Sequence, residues 1–293
     1  MNIFLSNWHP HADGMTRDTE IFQKALDTLS QAGGGTLVVE SGKYYLGGLR
    51  MGSNTCLWLS PGAELIVSDN YADFTQAVAL SRAECSDRAF LYARDAENIS
   101  ICGGGTIYGN ADGWFSSSVD DMGYRTPAEQ RPRIILLENC QRVRLENIRV
   151  HHAPMWTIHL VSCSQVVIDG ISVDNDLTMA NTDALDIDSC QQVHIANSFF
   201  SAADDAICLK TTDKPAAIQR PLRQVTIVNC TLRSKSCAFK IGTETWQDIE
   251  DIVVRNCTIF DSNRGIGLIS RDGGRLRSML FTSMTFACVA APA

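Results

Sequence analysis

Short segments in which apolar and polar residues alternate follow one another along most of this chain, and turn residues separate them. Residues 143–150 resemble residues 166–173, and related segments begin at positions 193, 225, 252 and, in degraded form, 279. An earlier copy begins at Ile99. The starting points lie about 23 to 32 residues apart, and no helical pattern occurs between them. A strand-rich repeat of this period predicts an all-β fold, a β-solenoid, rather than leucine-rich repeats or a propeller.

A second strand in each repeat aligns with the equivalent strand of the next repeat. Successive side chains of a strand point to opposite faces, so each such strand contributes to inward and outward columns. The inward columns are Ile158, Leu185, Ile207, Phe239 and Ile266, and Leu160, Ile187, Leu209, Ile241 and Leu268. The outward columns, which we expect to face solvent, are His159, Asp186, Cys208 and Lys240, and Val161, Asp188, Lys210, Gly242 and Ile269. Stacked coils lie about 4.8 Å apart, so neighbours in a column touch.

Both ends of a solenoid expose unpaired strand edges that need a cover. Residues 16–35 predict an amphipathic helix that Thr16 or Asp18 can cap and that three glycines end. We expect this helix to cap the N-terminal end of a single parallel β-helix domain over residues 1–293. The last repeat runs into residues 287–293 without a polar cap, which suggests a truncated chain or an end covered by another subunit.

The composition excludes some partners. The net charge of −8 argues against nucleic acid, because no basic stripe is available for phosphates. No apolar segment approaches transmembrane length, so we expect no membrane contact. The start of the chain lacks a basic leader, which predicts a cytoplasmic protein, or a secreted or periplasmic one if Met1 is a mature or engineered start. The 11 cysteines form no Cys-x-x-Cys pair, and their repeat positions predict buried free thiols.

Carboxylates gather at the entrances of two consecutive outward-facing strands. Asp183 begins one strand, and Asp204 and Asp205 begin the equivalent strand one coil later. Stacking places these side chains several ångströms apart, an arrangement that suits glycoside hydrolysis, where one carboxyl protonates the leaving oxygen and another activates water. The alternative is an Asx-type turn and a polar corner of the solenoid. No histidine pair has metal-ligand spacing, so we expect no metal and no cofactor.

The same residues resemble glycoside hydrolase family 28, the polygalacturonase-like enzymes. The resemblance extends over most of the chain, with Asn181-Thr182-Asp183 and the following Asp204-Asp205 as its centre. Further matching segments lie at residues 13–19, 33–36, 156–160 and 240–244. The resemblance implies a right-handed parallel β-helix that hydrolyses pectic poly- or oligosaccharides with inversion. It also implies that Asp204 acts as general acid, while Asp183 and Asp205 position and activate water.

The chain departs from the family pattern where the substrate's carboxylate is held. Ser236-Cys237-Ala238 stands in place of the usual Gly-His-Gly, and Gly267-Leu268-Ile269 in place of Arg-Ile-Lys. One hypothesis is that Lys240 and Arg264 replace the lost cations, and another is that the bound sugar is neutral. The candidate substrate-binding residues are Asn181, Asp186, Lys210, Lys240 and Arg264. The alternative is that Lys210 and Lys240 offset Asp186 and Asp188 as solvated ion pairs.

The sequence is also compatible with two other functions. A polysaccharide lyase could use the same fold with calcium and a basic residue, and a non-catalytic carbohydrate-binding solenoid would need no chemistry. Aromatic side chains at positions 114, 115 and 124, in the insertion 109–131, and at position 246 can stack on sugar rings or pack on the solenoid. The exact sugar, endo or exo action and the oligomeric state are left open.

Overall fold

The computed structural model of the protein describes residues 1–74, 79–81 and 84–287, so the end of the chain at 288–293 lies outside the described residues. The chain forms a right-handed parallel β-helix, which confirms the predicted fold class. Each complete coil contributes one strand to each of three parallel sheets, which run the length of the solenoid. No helix within these ranges is long and apolar enough to cross a bilayer.

The three sheets are built from successive strands of the coils. The first sheet contains β1 (Asn2–Phe4), β3 (Gly35–Val39), β6 (Thr55–Leu59), β9 (Glu97–Gly103), β14 (Gln141–Glu146), β17 (Ser164–Asp169), β20 (Gln191–Ala196), β23 (Leu222–Val228), β26 (Ile249–Arg255) and β29 (Leu276–Thr282). The second contains β2 (Asp13–Arg17), β4 (Gly42–Leu46), β7 (Ala63–Val67), β10 (Thr106–Tyr108), β15 (Arg149–His151), β18 (Ser172–Asp174), β21 (Phe199–Ala202), β24 (Thr231–Ser234), β27 (Thr258–Phe260) and β30 (Thr285–Ala287). The third contains β5 (Leu49–Arg50), β8 (Ala89–Arg94), β13 (Arg133–Glu138), β16 (Ile158–Val161), β19 (Leu185–Asp188), β22 (Ile207–Thr211), β25 (Cys237–Thr245) and β28 (Arg264–Leu268). An antiparallel hairpin of β11 (Phe115–Val119) and β12 (Arg125–Pro127) projects from the solenoid.

The predicted strand register is confirmed. Ile158 pairs with Leu185, and Leu185 pairs with Ile207 on the next coil, so the inward column is continuous across the third sheet. These side chains are buried in one core cluster that extends along the solenoid. Cys140, Cys163 and Cys190 are fully buried there as free thiols, as the repeat predicted.

The N-terminal helix is shorter than predicted. Helix α1 spans Thr19–Gln31 and buries Phe22, Leu26 and Leu29 against the first coils. The carboxylate of Asp18 does not cap it. It is fully buried and accepts hydrogen bonds from the backbone N–H groups of His11 and Ala12 at 2.8 and 3.0 Å instead.

The prediction that the outward columns of the third sheet face solvent is wrong for its central coils. Residues 79–81 and Ser86, and residues 212–221, lie over this face. The carboxylate of Glu138 accepts from the backbone of Leu80 and Ser81, and the hydroxyl of Ser162 donates to the carbonyl of Ile218. His159, Asp186 and Asp188, which the outward columns contain, are fully buried.

Asp188 anchors one of these covering segments. Its carboxylate lies 2.7 Å from Nζ of Lys214 and accepts a 3.0 Å hydrogen bond from the backbone N–H of Thr212. His159 Nε2 lies 3.5 Å from the same carboxylate. Both side chains of the Asp188–Lys214 pair are fully buried, so their charges compensate each other out of contact with water.

We expect Asp188→Asn to lower the free energy of unfolding by about 3 to 5 kcal/mol, because it leaves the ammonium of Lys214 buried without a counter-charge. Urea denaturation measures the loss. Asp213→Asn is the matched control, since Asp213 is exposed in the same segment and its substitution should change stability by less than about 0.5 kcal/mol. Equal losses in the two variants would contradict the anchoring role.

Candidate active site

Three carboxylates meet at the corner between the second and third sheets. Asp183 lies just before β19, and Asp204 and Asp205 lie just before β22. Their oxygens lie within 4.8 Å of one another, so the predicted clustering of these residues is confirmed. Asp183 and Asp205 are 3% and 1% exposed, while Asp204 is half-buried.

Backbone pairing between coils holds this corner in place. The N–H of Ala184 donates to the carbonyl of Asp205 at 3.0 Å, and the N–H of Thr157 donates to the carbonyl of Asp183 at 2.8 Å. Asn181 has a left-handed φ of 59°, which asparagine tolerates better than most residues, and it turns the chain into the corner. The three acids are therefore presented by the register of the sheet.

Burial and mutual repulsion shape the protonation of the cluster. Burial raises the pKa of Asp183 well above the usual carboxyl range, and the charge of Asp204 raises it further. Burial and Asp204 also raise the pKa of Asp205, while Lys240 opposes the rise. Because carboxylates this close are costly to ionise together, the cluster keeps a proton at pH values where isolated carboxyls have lost theirs.

Lys240 pairs with the catalytic candidate Asp205. Its Nζ lies 2.7 Å from Oδ2 of Asp205, and the Lys240 side chain is 19% exposed. The predicted pairing of Lys240 with Asp186 or Asp188 is wrong, because the ammonium reaches back to the corner of the preceding coil. Arg264 begins β28 beside Cys237 and is exposed, so it stays available as a candidate substrate-binding cation.

Asp186 and Lys210 form a second pair beneath the cluster. Oδ1 of Asp186 lies 2.8 Å from Nζ of Lys210, at angles outside hydrogen-bond geometry, and the ammonium lies 3.7 Å from the ring centroid of Trp156. Both residues are buried, at 0% and 3% exposure, rather than solvated as expected. Almost nothing of either side chain is exposed at the surface, and their contact with substrate stays a prediction. Burial raises the pKa of Asp186 to about 7, with Lys210 opposing the rise.

A cleft of about 450 Å³ opens beside the cluster. The hairpin supplies one wall through Tyr124 and its neighbours, and Asn181, Asp204 and Ser236 supply the other. The hydroxyl of Tyr124 donates to the carbonyl of Ala203 at 3.3 Å, which ties the tip of the hairpin to the solenoid. The length of the insertion 109–131 indicates such a wall, but no pattern in the sequence predicts which residues of the solenoid it contacts.

The candidate residues around the cleft differ in accessibility. Asn181 lines the cleft, and its side-chain oxygen accepts a 3.2 Å hydrogen bond from Arg131. Trp114 is buried and packs against Tyr71, so for this residue the packing alternative holds. Trp246 is 48% exposed, and its ring stays a candidate for sugar stacking.

The three carboxylates are also close enough to surround a small cation, and no other group of acids, histidines and cysteines within the described ranges converges in this way. An acidic cluster alone is not a metal site, since a proton relieves the same repulsion. The expectation of a metal-free site therefore stays a prediction.

Taken together, a parallel β-helix with an aspartate cluster beside a cleft defines a class of protein suited to glycoside hydrolysis. The sequence profile of glycosyl hydrolases family 28 matches residues 71–284, and the chain belongs to this family. This confirms the resemblance seen in the motifs.

The chain is similar to several known proteins. It is 26% identical to a probable polygalacturonase of Vitis vinifera over 93% of this chain, and it spans only 58% of that relative's length. Its fold is similar to an exopolygalacturonase of Thermotoga maritima, with a TM-score of 0.82 and 22% identity over 97% of this chain and 76% of that one. A family 28 exopolygalacturonase of Yersinia enterocolitica gives a TM-score of 0.84 and 22% identity over 98% of this chain and 59% of that one.

We expect the free energy of unfolding to fall as the pH rises from about 4 to 7, because carboxyls with raised pKa values bind more protons in the folded protein than in the unfolded chain. Asp186→Asn removes one of these groups and should lessen the slope by up to about 1.4 kcal/mol per pH unit. Urea denaturation across this range measures it. Asp251→Asn, at an exposed position of the first sheet, should keep the wild-type slope. An unchanged slope in Asp186→Asn would refute the raised pKa.

Proposed function

We propose that the protein hydrolyses glycosidic bonds in pectic poly- or oligosaccharides. The observation that carries the proposal is the position of the three acids: Asp204 lines the cleft, whereas Asp183 and Asp205 lie buried behind it. A general acid must touch the leaving oxygen, which suits Asp204. The two buried carboxylates suit the water on the other side of the reacting carbon.

Family membership supports the hydrolase over the lyase alternative. The relatives named above are polygalacturonases, which supports a pectic substrate. We further propose action at chain ends, since the hairpin walls one side of the cleft and the two similar structures are exopolygalacturonases. The sugar is proposed only as a pectic residue, because the cation pattern of the family is incomplete here.

The decisive test is Asp204→Asn, which keeps the shape of the side chain and removes its transferable proton. We expect a loss of about 10² to 10⁴-fold in kcat on defined pectic oligosaccharides. A reducing-end assay measures it, and chromatography of the products separates chain-end from internal cleavage. Asp183→Asn and Asp205→Asn should lose activity on the same scale.

Asp251→Asn controls for a generic effect of an aspartate substitution, because its side chain is exposed on the first sheet. Two measurements address the alternatives. Products absorbing in the ultraviolet, together with loss of activity on chelation, would establish a calcium-dependent lyase instead. Activity that survives in Asp204→Asn would remove Asp204 from the mechanism.

We expect inversion at the anomeric carbon. In enzymes with two catalytic carboxyl groups, a separation of about 5 to 5.5 Å is typical of retention and one of about 6.5 to 9.5 Å is typical of inversion. A third carboxylate changes this argument, since Asp183 and Asp205 together can hold a water where a single nucleophile would otherwise stand. Proton NMR of the first product anomer decides between the outcomes, and retention would contradict this assignment of roles.

A further inference from the structure

Lys240 contacts the cluster from the coil that follows it. Its ammonium donates a 2.7 Å hydrogen bond to Oδ2 of Asp205. Oδ1 of the same carboxylate is buried and has no hydrogen-bond partner. Asp205 therefore has one oxygen fixed by a cation and one buried oxygen that is free to accept a proton.

Ionisable groups face Asp205 from every element packed against it. They are Asp204 from its own corner, Asp183 and Asp186 from the preceding coil, Lys210 from β22, and Lys240 and Cys237 from β25, with Arg264 beside Cys237 on β28. Lys210 is paired with Asp186. Among the described residues, Lys240 is thus the one cation in an ion pair with any of the three catalytic candidates.

We propose that Lys240 is a positioning residue for hydrolysis, which holds Asp205 ionised and oriented as the base while the shared proton stays with Asp183 and Asp204. This inference rests on the proposed function. In the reaction, the water oxygen bonds to the anomeric carbon as the glycosidic C–O bond breaks. The water proton passes to Oδ1 of Asp205, and Asp204 gives its proton to the leaving oxygen. One proton enters the cluster and one leaves, so no further reactant is needed.

Two observations favour this role over a clamp on a substrate carboxylate. The ammonium is already bonded to the protein, and only 19% of the side chain is exposed. Cys237, which stands where the family has histidine, is 2% exposed, and burial raises the pKa of its thiol to about 11. It therefore stays neutral, and a thiol has no cationic form that could replace the histidine. Burial lowers the pKa of Lys240, but the ion pair with Asp205 outweighs burial and keeps the ammonium charged.

The test compares Lys240→Met with Lys240→Arg. Without the ammonium, Asp205 is harder to ionise, so the acidic limb of the kcat/KM profile should move to higher pH by about one unit or more in Lys240→Met. KM above that limb should change less than twofold, and Lys240→Arg should return the limb toward its wild-type position. Thermal unfolding of each variant checks that it is folded.

A second readout does not depend on turnover. Carboxyl ¹³C NMR of aspartate-labelled protein, with Asp205→Asn to assign the signal, should show Asp205 titrating at higher pH in Lys240→Met than in wild type. If no pectic substrate is cleaved but this shift occurs, the proposed function fails and the pairing role stands. The proposal is overturned if neither the acidic limb of the kcat/KM profile nor the titration of Asp205 moves in Lys240→Met. It is also overturned if the KM of this variant rises on carboxylated substrates alone.

Discussion

The stacking of coils at the spacing of paired strands is the constraint on which this site depends. Equivalent residues of consecutive coils are forced to be neighbours, about 4.8 Å apart. Leu185 pairs with Ile207, which places the corner of Asp183 against the corner of Asp205. The acids are therefore close because the backbone requires it, and like charges at this distance need either a cation or a proton.

Three lysines supply such cations, two from strands of the third sheet and one from the segment that covers it. Lys210 pairs with Asp186, Lys214 with Asp188 and Lys240 with Asp205, and in every pair the lysine lies later in the chain. Asp183 and Asp204 have no lysine partner of this kind among the described residues. Burial and the charge of Asp204 raise the pKa of Asp183, so a proton on Asp183 can relieve the repulsion that no lysine relieves.

Much of this arrangement could be predicted from the sequence, because equivalent positions of consecutive repeats pair with each other in the sheets. The columns around Ile158 and Leu160 and the meeting of Asp183 with Asp205 followed from the repeat alone. The burial of Asp186 and Lys210 did not, because alternation along a strand predicts which face a side chain points to but not what packs over that face, here the ring of Trp156 over Lys210. The contact between Lys240 and Asp205 could not be predicted either, because a lysine side chain is long enough to reach acids at several neighbouring positions.

These ion pairs bear on the positions at which the chain departs from the family pattern. Where the family has a histidine and two further cations, this chain has Cys237, Gly267 and Ile269, none of them charged, and Lys240 is bonded to Asp205. A cation that neutralises Asp205 cannot also neutralise a substrate carboxylate at full strength. Recognition of an acidic sugar would then depend on Arg264, which is exposed on the next coil.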